Sequence, residues 1–232
     1  MNVYAISDFH LSINNPKPMN IFGPVWDNYL EIIERDWAEK VTEDDVVLIS
    51  GDLSWAMKIE DAKADIDYIG ALKGHKIIIR GNHDYWWKSI SAVRAMLPCG
   101  MYAVQNDALK IGNIVVCGTR LWSTPEPNRQ MAEADKIIYD RELIRLRMSL
   151  DAAAKLRGEG DKLVVMLHYP PFNSTFSATV FTDAIAEYSP DAVVYGHLHG
   201  TSGRVCRKLT IGGVPYYLTS CDLVGNKLVT VL

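Results

Sequence analysis

Two histidines one residue apart, His197 and His199, stand between Gly196 and Gly200 directly after the apolar run AVVY. The same spacing recurs in Asp8 and His10, which follow NVYAIS. Further candidates close other apolar runs: Asp52 in Gly51-Asp52, then Asn82, His83 and Asp84 in one four-residue stretch with Gly81, and His168 before Tyr169-Pro170-Pro171. These side chains offer nitrogen and oxygen donors, the chemistry of a metal site or of proton transfer. Of the six histidines, all but His75 lie at or just past the end of an expected strand. One histidine in such a place is ordinarily a solvated loop residue. Five of them, arriving with Asp8, Asp52, Asn82 and Asp84, point to a metal site instead.

Spacing sharpens this. In extended chain, residues i and i+2 face the same side roughly 6 to 7 Å apart. Asp8 with His10, and His197 with His199, are therefore expected to share a face. Each pair suits one metal held by both side chains, or two metals about 3.5 to 4 Å apart held by one each. Asp8, His10, Asp52, Asn82, His168, His197 and His199 are too many for one tetrahedral zinc and match two ions of higher coordination that share a carboxylate. Donors of nitrogen and oxygen without thiolate favour Mn, Fe, Zn, Co or Ni, with manganese taken first.

The elements that must position these residues are legible as alternating strands and helices. Residues 2 to 7, 45 to 50 and 75 to 80 read as short buried strands, and helices are expected at about 25 to 40 and 58 to 72. Trp26, Tyr29, Ile33 and Trp37 form the stripe of the first helix; Ile59, Ala62, Ile66 and Ile69 form that of the second. Residues 101 to 118 read as two strands around a Gly112-Asn113 turn, followed by a long helical region with Leu143, Leu146, Leu150 and Ala153 on one face. Strands at 162 to 168 and 192 to 197 follow, and a tail from about 203 to 232 reads as three strands turning at Gly212-Gly213. Parallel βαβ units first and hairpins later imply an α/β protein of two packed sheets. Ligands in such folds gather beyond the carboxyl ends of the strands, where five of the histidines fall.

Whole-chain properties bound the rest. A chain of 232 residues, 48% hydrophobic and 22% charged, without repeats or a low-complexity linker, is expected to form a single domain over 1–232. A net charge of −4 argues against an extended nucleic-acid surface or an anionic membrane partner. The opening MNVYAISDFH has no cationic region and is broken by Asp8 and His10, so no signal peptide is expected. No apolar run is long enough to span a bilayer. Cys99, Cys117, Cys206 and Cys221 form no paired motif and are expected to be small buried thiols in a reducing, cytoplasmic setting.

Asp8-Phe9-His10, Gly51-Asp52, the Gly81 to Asp84 stretch, His168 after a buried strand, and Gly196-His197-Leu198-His199 resemble, in number and order, the five blocks of the calcineurin-like metallophosphoesterases. The resemblance implies two mixed β-sheets packed face to face and flanked by helices, a four-layer sandwich with a two-metal centre at the strand ends. It implies that Asp8, His10, Asp52 and His199 hold one ion and Asp52, Asn82, His168 and His197 the other, with Asp52 bridging. His83 would stand near the leaving group, oriented by Asp84. Phe9 is unusual inside the first block and should face away from the metals. Arg80, less expected in the family, should pair with a nearby carboxylate or reach a substrate phosphate.

The activity so implied is hydrolysis of a small phosphomonoester or phosphodiester by in-line attack of a metal-generated hydroxide, with His83 as general acid or phosphate stabiliser. Two divalent ions outweigh two aspartates and a hydroxide, so an acidic protein carries a local positive well. Trp55, Tyr85 and Arg120, with Arg80, are the candidate substrate contacts. Trp86 and Trp87 either stack on a substrate or bury the helix that follows them, burial being the expectation. The rival readings are a non-catalytic scaffold of the same fold and a nuclease.

Overall fold

A computed structural model describes residues 1–200 and 205–232. Among these residues the chain forms two mixed sheets. The first runs in the order β11 (Val229–Thr230), β1 (Val3–Ile6), β2 (Val46–Ile49), β3 (His75–Ile78), β4 (Met101–Ala103). The second runs β5 (Ala108–Ile111), β6 (Ile114–Thr119), β7 (Lys162–Leu167), β8 (Ala192–Tyr195), β10 (Val214–Leu218), β9 (Lys208–Ile211). β1 to β4 pair in parallel, as do β6, β7, β8 and β10, so the carboxyl ends within each run point one way.

Alternation within the strands builds the layers. Val3 and Ala5, Val46 and Leu48, and Ile77 turn one way and meet Val116, Val164, Met166 and Val194 of the second sheet in a shared core. The intervening residues, Ile6, Val47, Ile49 and Ile78, face outward onto α1 (Tyr29–Lys40), α2 (Lys63–Gly70) and α3 (Ile90–Met96). On the far side Val165, Val193 and Tyr216 pack against α4 (Glu133–Leu156) and α5 (Val180–Ala186). Strands buried on both faces explain why they read as continuous apolar runs rather than alternating ones. The result is the expected sandwich of helices, sheet, sheet and helices.

Several boundaries differ for physical reasons. The stretch expected as one helix from 25 to 40 is a 3-10 turn, Pro24–Trp26, and then α1, because Asn28 takes a left-handed conformation (φ 53°) that interrupts any helix. The expected helix at 58 to 72 is regular only over Lys63–Gly70. Residues 101 to 118 hold three strands: the Gly112-Asn113 hairpin lies in the second sheet, while Met101–Ala103 pairs with β3 in the first. The tail does supply three strands; residues 203 and 204, where it was expected to begin, lie outside the described residues. Cys117 and Cys221 are buried as expected, but Cys99 is exposed and Cys206 half-buried. No helix among the described residues is long and apolar enough to cross a membrane.

Candidate metal centre

The carboxyl ends of β1, β2, β3, β7 and β8 lead directly into the loops that carry Asp8 and His10, Asp52, Asn82 and His83, His168, and His197 and His199. The two sheets are tied together at this edge. The Ser7 amide donates to the Thr219 carbonyl (2.8 Å), and His168 Nδ1 meets the Ser50 carbonyl at 2.8 Å. Two glycines in the motifs exist for close approach. A methyl group at Gly81 would overlap the Asp52 carboxylate, and one at Gly196 would overlap Asp8 and the Ser7 hydroxyl.

The loops do not run extended. Asp8 (φ 61°), His10 (φ 51°), Asp52 (φ 51°) and His197 (φ 70°) all adopt the left-handed conformation, which costs a non-glycine residue free energy and concentrates at functional sites. The shared-face rule therefore does not govern the pairs. Asp8 and His10 still converge, but His197 and His199 diverge. His197 Nδ1 lies 2.8 Å from Asn82 Oδ1, beside His168 Nε2 at 2.6 Å from the same oxygen. His199 Nε2 turns instead to His10 Nε2 (3.3 Å) and Asp8 Oδ1 (3.5 Å).

Asp52 stands between the two groups. Its Oδ1 accepts the His83 amide at 2.7 Å. Its Oδ2, buried and without a hydrogen-bond partner, lies 3.9 Å from His10 Nε2 and 3.5 Å from His168 Nε2. Two sets of donor atoms could each close on one cation: Asp8, His10 and His199, and Asp8, Asp52 and His168. The orphaned Asp52 oxygen facing imidazole nitrogens fits a divalent ion in the second set, and the nitrogen and oxygen donors of the first set suit the same class of ion.

Titration behaviour follows from burial. Burial, together with the charges of Asp84 and Asp8, pushes the Asp52 carboxyl up to about 9. Burial also raises Asp8, but the hydrogen bond to His199 and the fields of the surrounding histidines outweigh it and hold Asp8 well below the usual carboxylate range. Burial pushes His10 and His197 down to about 3, leaving neutral imidazoles with free lone pairs. His199 goes the other way. Burial works against its charge, yet hydrogen bonds to Asp222 and Asp8 carry it up to about 10.

The family model described as calcineurin-like phosphoesterase matches residues 1–201, which contain all seven donors. The chain belongs to this family. Among solved structures, a protein of unknown function from Aquifex aeolicus shares the fold, with a TM-score of 0.51 at 13% identity over 99% of this chain and 95% of that one. A search of curated proteins finds no match.

Within this member of the family the remaining sequence expectations meet mixed outcomes. Asp84 was expected to orient His83; among the described residues no hydrogen bond joins its carboxylate to the His83 ring. Its fully buried carboxylate accepts the amides of Asp52 (2.9 Å), Leu53 (3.0 Å), Ser54 (3.2 Å) and Gly81 (2.7 Å) and the indole of Trp86 (2.9 Å). Asp84 thus clasps the Asp52 loop to the Asn82 loop. His83 is packed by rings: its centroid is 4.7 Å from Trp55, 5.6 Å from His10 and 6.3 Å from the exposed Tyr85. Trp86 and Trp87 are buried, as expected, and Phe9 faces the core under α1. Arg80 and Arg120 line a recess of their own with Asn106, Thr119 and Glu142, whereas Trp55 lines the cleft that holds His83. Arg80 forms no ion pair among the described residues, and its Nε is buried without a partner, so the expected carboxylate pairing is absent.

Asp222 is the residue the sequence reading missed. It follows the carboxyl end of β10 and takes His199 Nδ1 at 3.0 Å and the Gly200 amide at 3.0 Å. The same signal that marks the other candidates, an acidic residue just past a strand, was present in Ser220-Cys221-Asp222. A carboxylate behind a histidine fixes which ring nitrogen is left to face a metal. Asp222→Ala should weaken metal binding roughly 10- to 100-fold with little loss of fold, measured by titration of the metal-free protein. Affinity equal to that of the unaltered protein would show that His199 needs no such support.

Proposed function

We propose that the chain is a metal-dependent phosphohydrolase acting on a small phosphate ester. The observation that carries the reading is the buried, unpartnered Oδ2 of Asp52, which lies 3.9 Å from His10 Nε2 and 3.5 Å from His168 Nε2 in a cluster that also holds Asp8, Asn82, His197 and His199. Asp8, His10, Asp52 and His199 would hold one divalent ion, and Asp52, Asn82, His168 and His197 the other. Asp8 lies within reach of both sets, but Asp52 is the better bridge because its free oxygen is aimed between His10 and His168. Bound there, the ions would lower the pKa of a water to near neutrality and stabilise the negative charge that gathers on the phosphoryl oxygens. Manganese is the first choice of metal.

The chain's own groups do the rest. Asp84 fixes the spacing of the Asp52 and Asn82 loops through its amide contacts. Asp222 keeps the Nε2 of His199 turned inward. His83, packed between Trp55 and His10, presents its ring at the metal-facing end of the cleft, where it hydrogen-bonds the phosphate and gives a proton to the departing oxygen. Burial holds His83 below its ordinary histidine value, so the neighbouring charge of a bound phosphate is what favours its protonated form.

The test is a panel of an aryl phosphate monoester and a bis-aryl phosphodiester, assayed after chelation and after return of Mn²⁺, Fe²⁺ or Zn²⁺. Expected is hydrolysis of at least one ester that is lost on chelation and restored by metal. Stable binding of metal without turnover of any ester would favour a non-catalytic scaffold.

A further inference from the structure

The candidate centre opens on one side into a cleft of about 460 Å³. Its metal-facing end is formed by His10, His83, His199 and Asp222, and its outer walls by Met19, Phe22, Val25, Trp26 and Trp55. No lysine or arginine is among the described residues that line it. Lys17 lies over the Trp55 ring at 5.3 Å, but it belongs to the neighbouring recess with Ser12, Asn14 and Asn15.

This wall is built rather than incidental. The chain between β1 and α1 folds into two 3-10 turns, Met19–Phe22 and Pro24–Trp26. Asn226 Nδ2 holds the Val25 carbonyl at 2.7 Å, and the Trp55 indole meets Met19 Sδ at 3.2 Å. Trp55 stacks on His10 with centroids 4.6 Å apart. On this wall Phe22 is 66% exposed, and Ile21 beside it in sequence is 73% exposed, large apolar surface left in water.

We infer that this cleft is the subsite for the alcohol portion of the substrate, and that the alcohol is apolar, a medium-length alkyl or an aromatic group. The inference rests on the phosphohydrolase reading above. Three observations carry it. His83, the group placed to meet the departing oxygen, lines the cleft, so the leaving group extends into it. Among the described residues, the walls beyond His83 offer aromatic and aliphatic surface and no cation, which suits an uncharged apolar group and not a second phosphate. Arg80 and Arg120, which could hold an anion, line a different recess, and the Arg120 guanidinium lies over the Trp122 ring at 4.9 Å. In the reaction, water adds to phosphorus, the bond from phosphorus to the alkyl oxygen breaks, and the alcohol departs carrying a proton into the apolar walls.

A series of n-alkyl phosphates from ethyl to hexyl tests this, because the leaving groups differ in apolar area and hardly in basicity. With metal-loaded protein and phosphate release as the readout, kcat/KM should rise about three- to fourfold per methylene as each is removed from water. The ratio of hexyl to ethyl phosphate should then fall by about tenfold in Phe22→Ser and Val25→Ser, both at exposed positions that tolerate a polar residue. A wild-type ratio near one, or a ratio that the two substitutions leave unchanged, overturns the inference while leaving the hydrolase intact. Failure to release phosphate from any ester, aryl esters included, overturns the hydrolase reading and this inference with it.

Discussion

Replacing Asp52 with alanine should empty the centre of metal and lower turnover on the order of 10³-fold or more. Losing a single preorganised donor at a developing oxyanion costs about 10²- to 10³-fold, and here the residue lost would serve both ions at once. Its Oδ2 is the one buried carboxylate oxygen in the cluster without a hydrogen-bond partner among the described residues. Its Oδ1 also fixes the His83 amide at 2.7 Å, so the loop that presents His83 should loosen as well. Asn82→Ala should act in the same direction, since Asn82 Oδ1 is where His168 and His197 meet. Metal content and rate measured on the same sample check this. Full occupancy of two ions in either variant would refute the ligand assignment.

His83→Ala should behave in the opposite way, keeping both ions and losing turnover. General acid catalysis contributes roughly 10²- to 10⁴-fold, and its loss is felt most where the departing oxygen is basic. The variant should therefore be crippled on alkyl phosphates and much less so on nitrophenyl esters. Among the described residues no donor of the cluster is hydrogen-bonded to the His83 ring, whose aromatic contacts are with Trp55, His10 and Tyr85. A plot of log kcat/KM against leaving-group pKa, steeper for the variant than for the wild type, is the check. Parallel plots would leave His83 as a binder of phosphate and remove its role as an acid.

Much of this centre was legible because the strands are buried on both faces. A run such as VVLI or LVVML holds no polar residue, so the Asp or His just past it stands out. What was not legible depends on loop backbone and on contacts distant in sequence. Asp8 and His10 converge as expected, but His197 and His199 do not share a face, because His197 is left-handed, a state its identity does not announce. The family resemblance, not the residues themselves, implies Asp84 as the partner that orients the neighbouring His83. In a tight turn adjacency does not say where a side chain points, and the buried amides of two loops needed an acceptor more than the imidazole did. Asp222 reaches His199 across 23 residues of sequence from a tail that reads as plain strands. Trp26 matched the helical stripe of Tyr29 and Ile33 but belongs to the 3-10 turn before it, and there it forms part of the cleft.

The most direct measurement is the metal content of the purified protein after loading with Mn²⁺ and removal of free ion. Expected are two equivalents per chain, with phosphate-ester hydrolysis rising as the second is bound. One equivalent at saturation, or none, would contradict a centre in which Asp52 joins two ions.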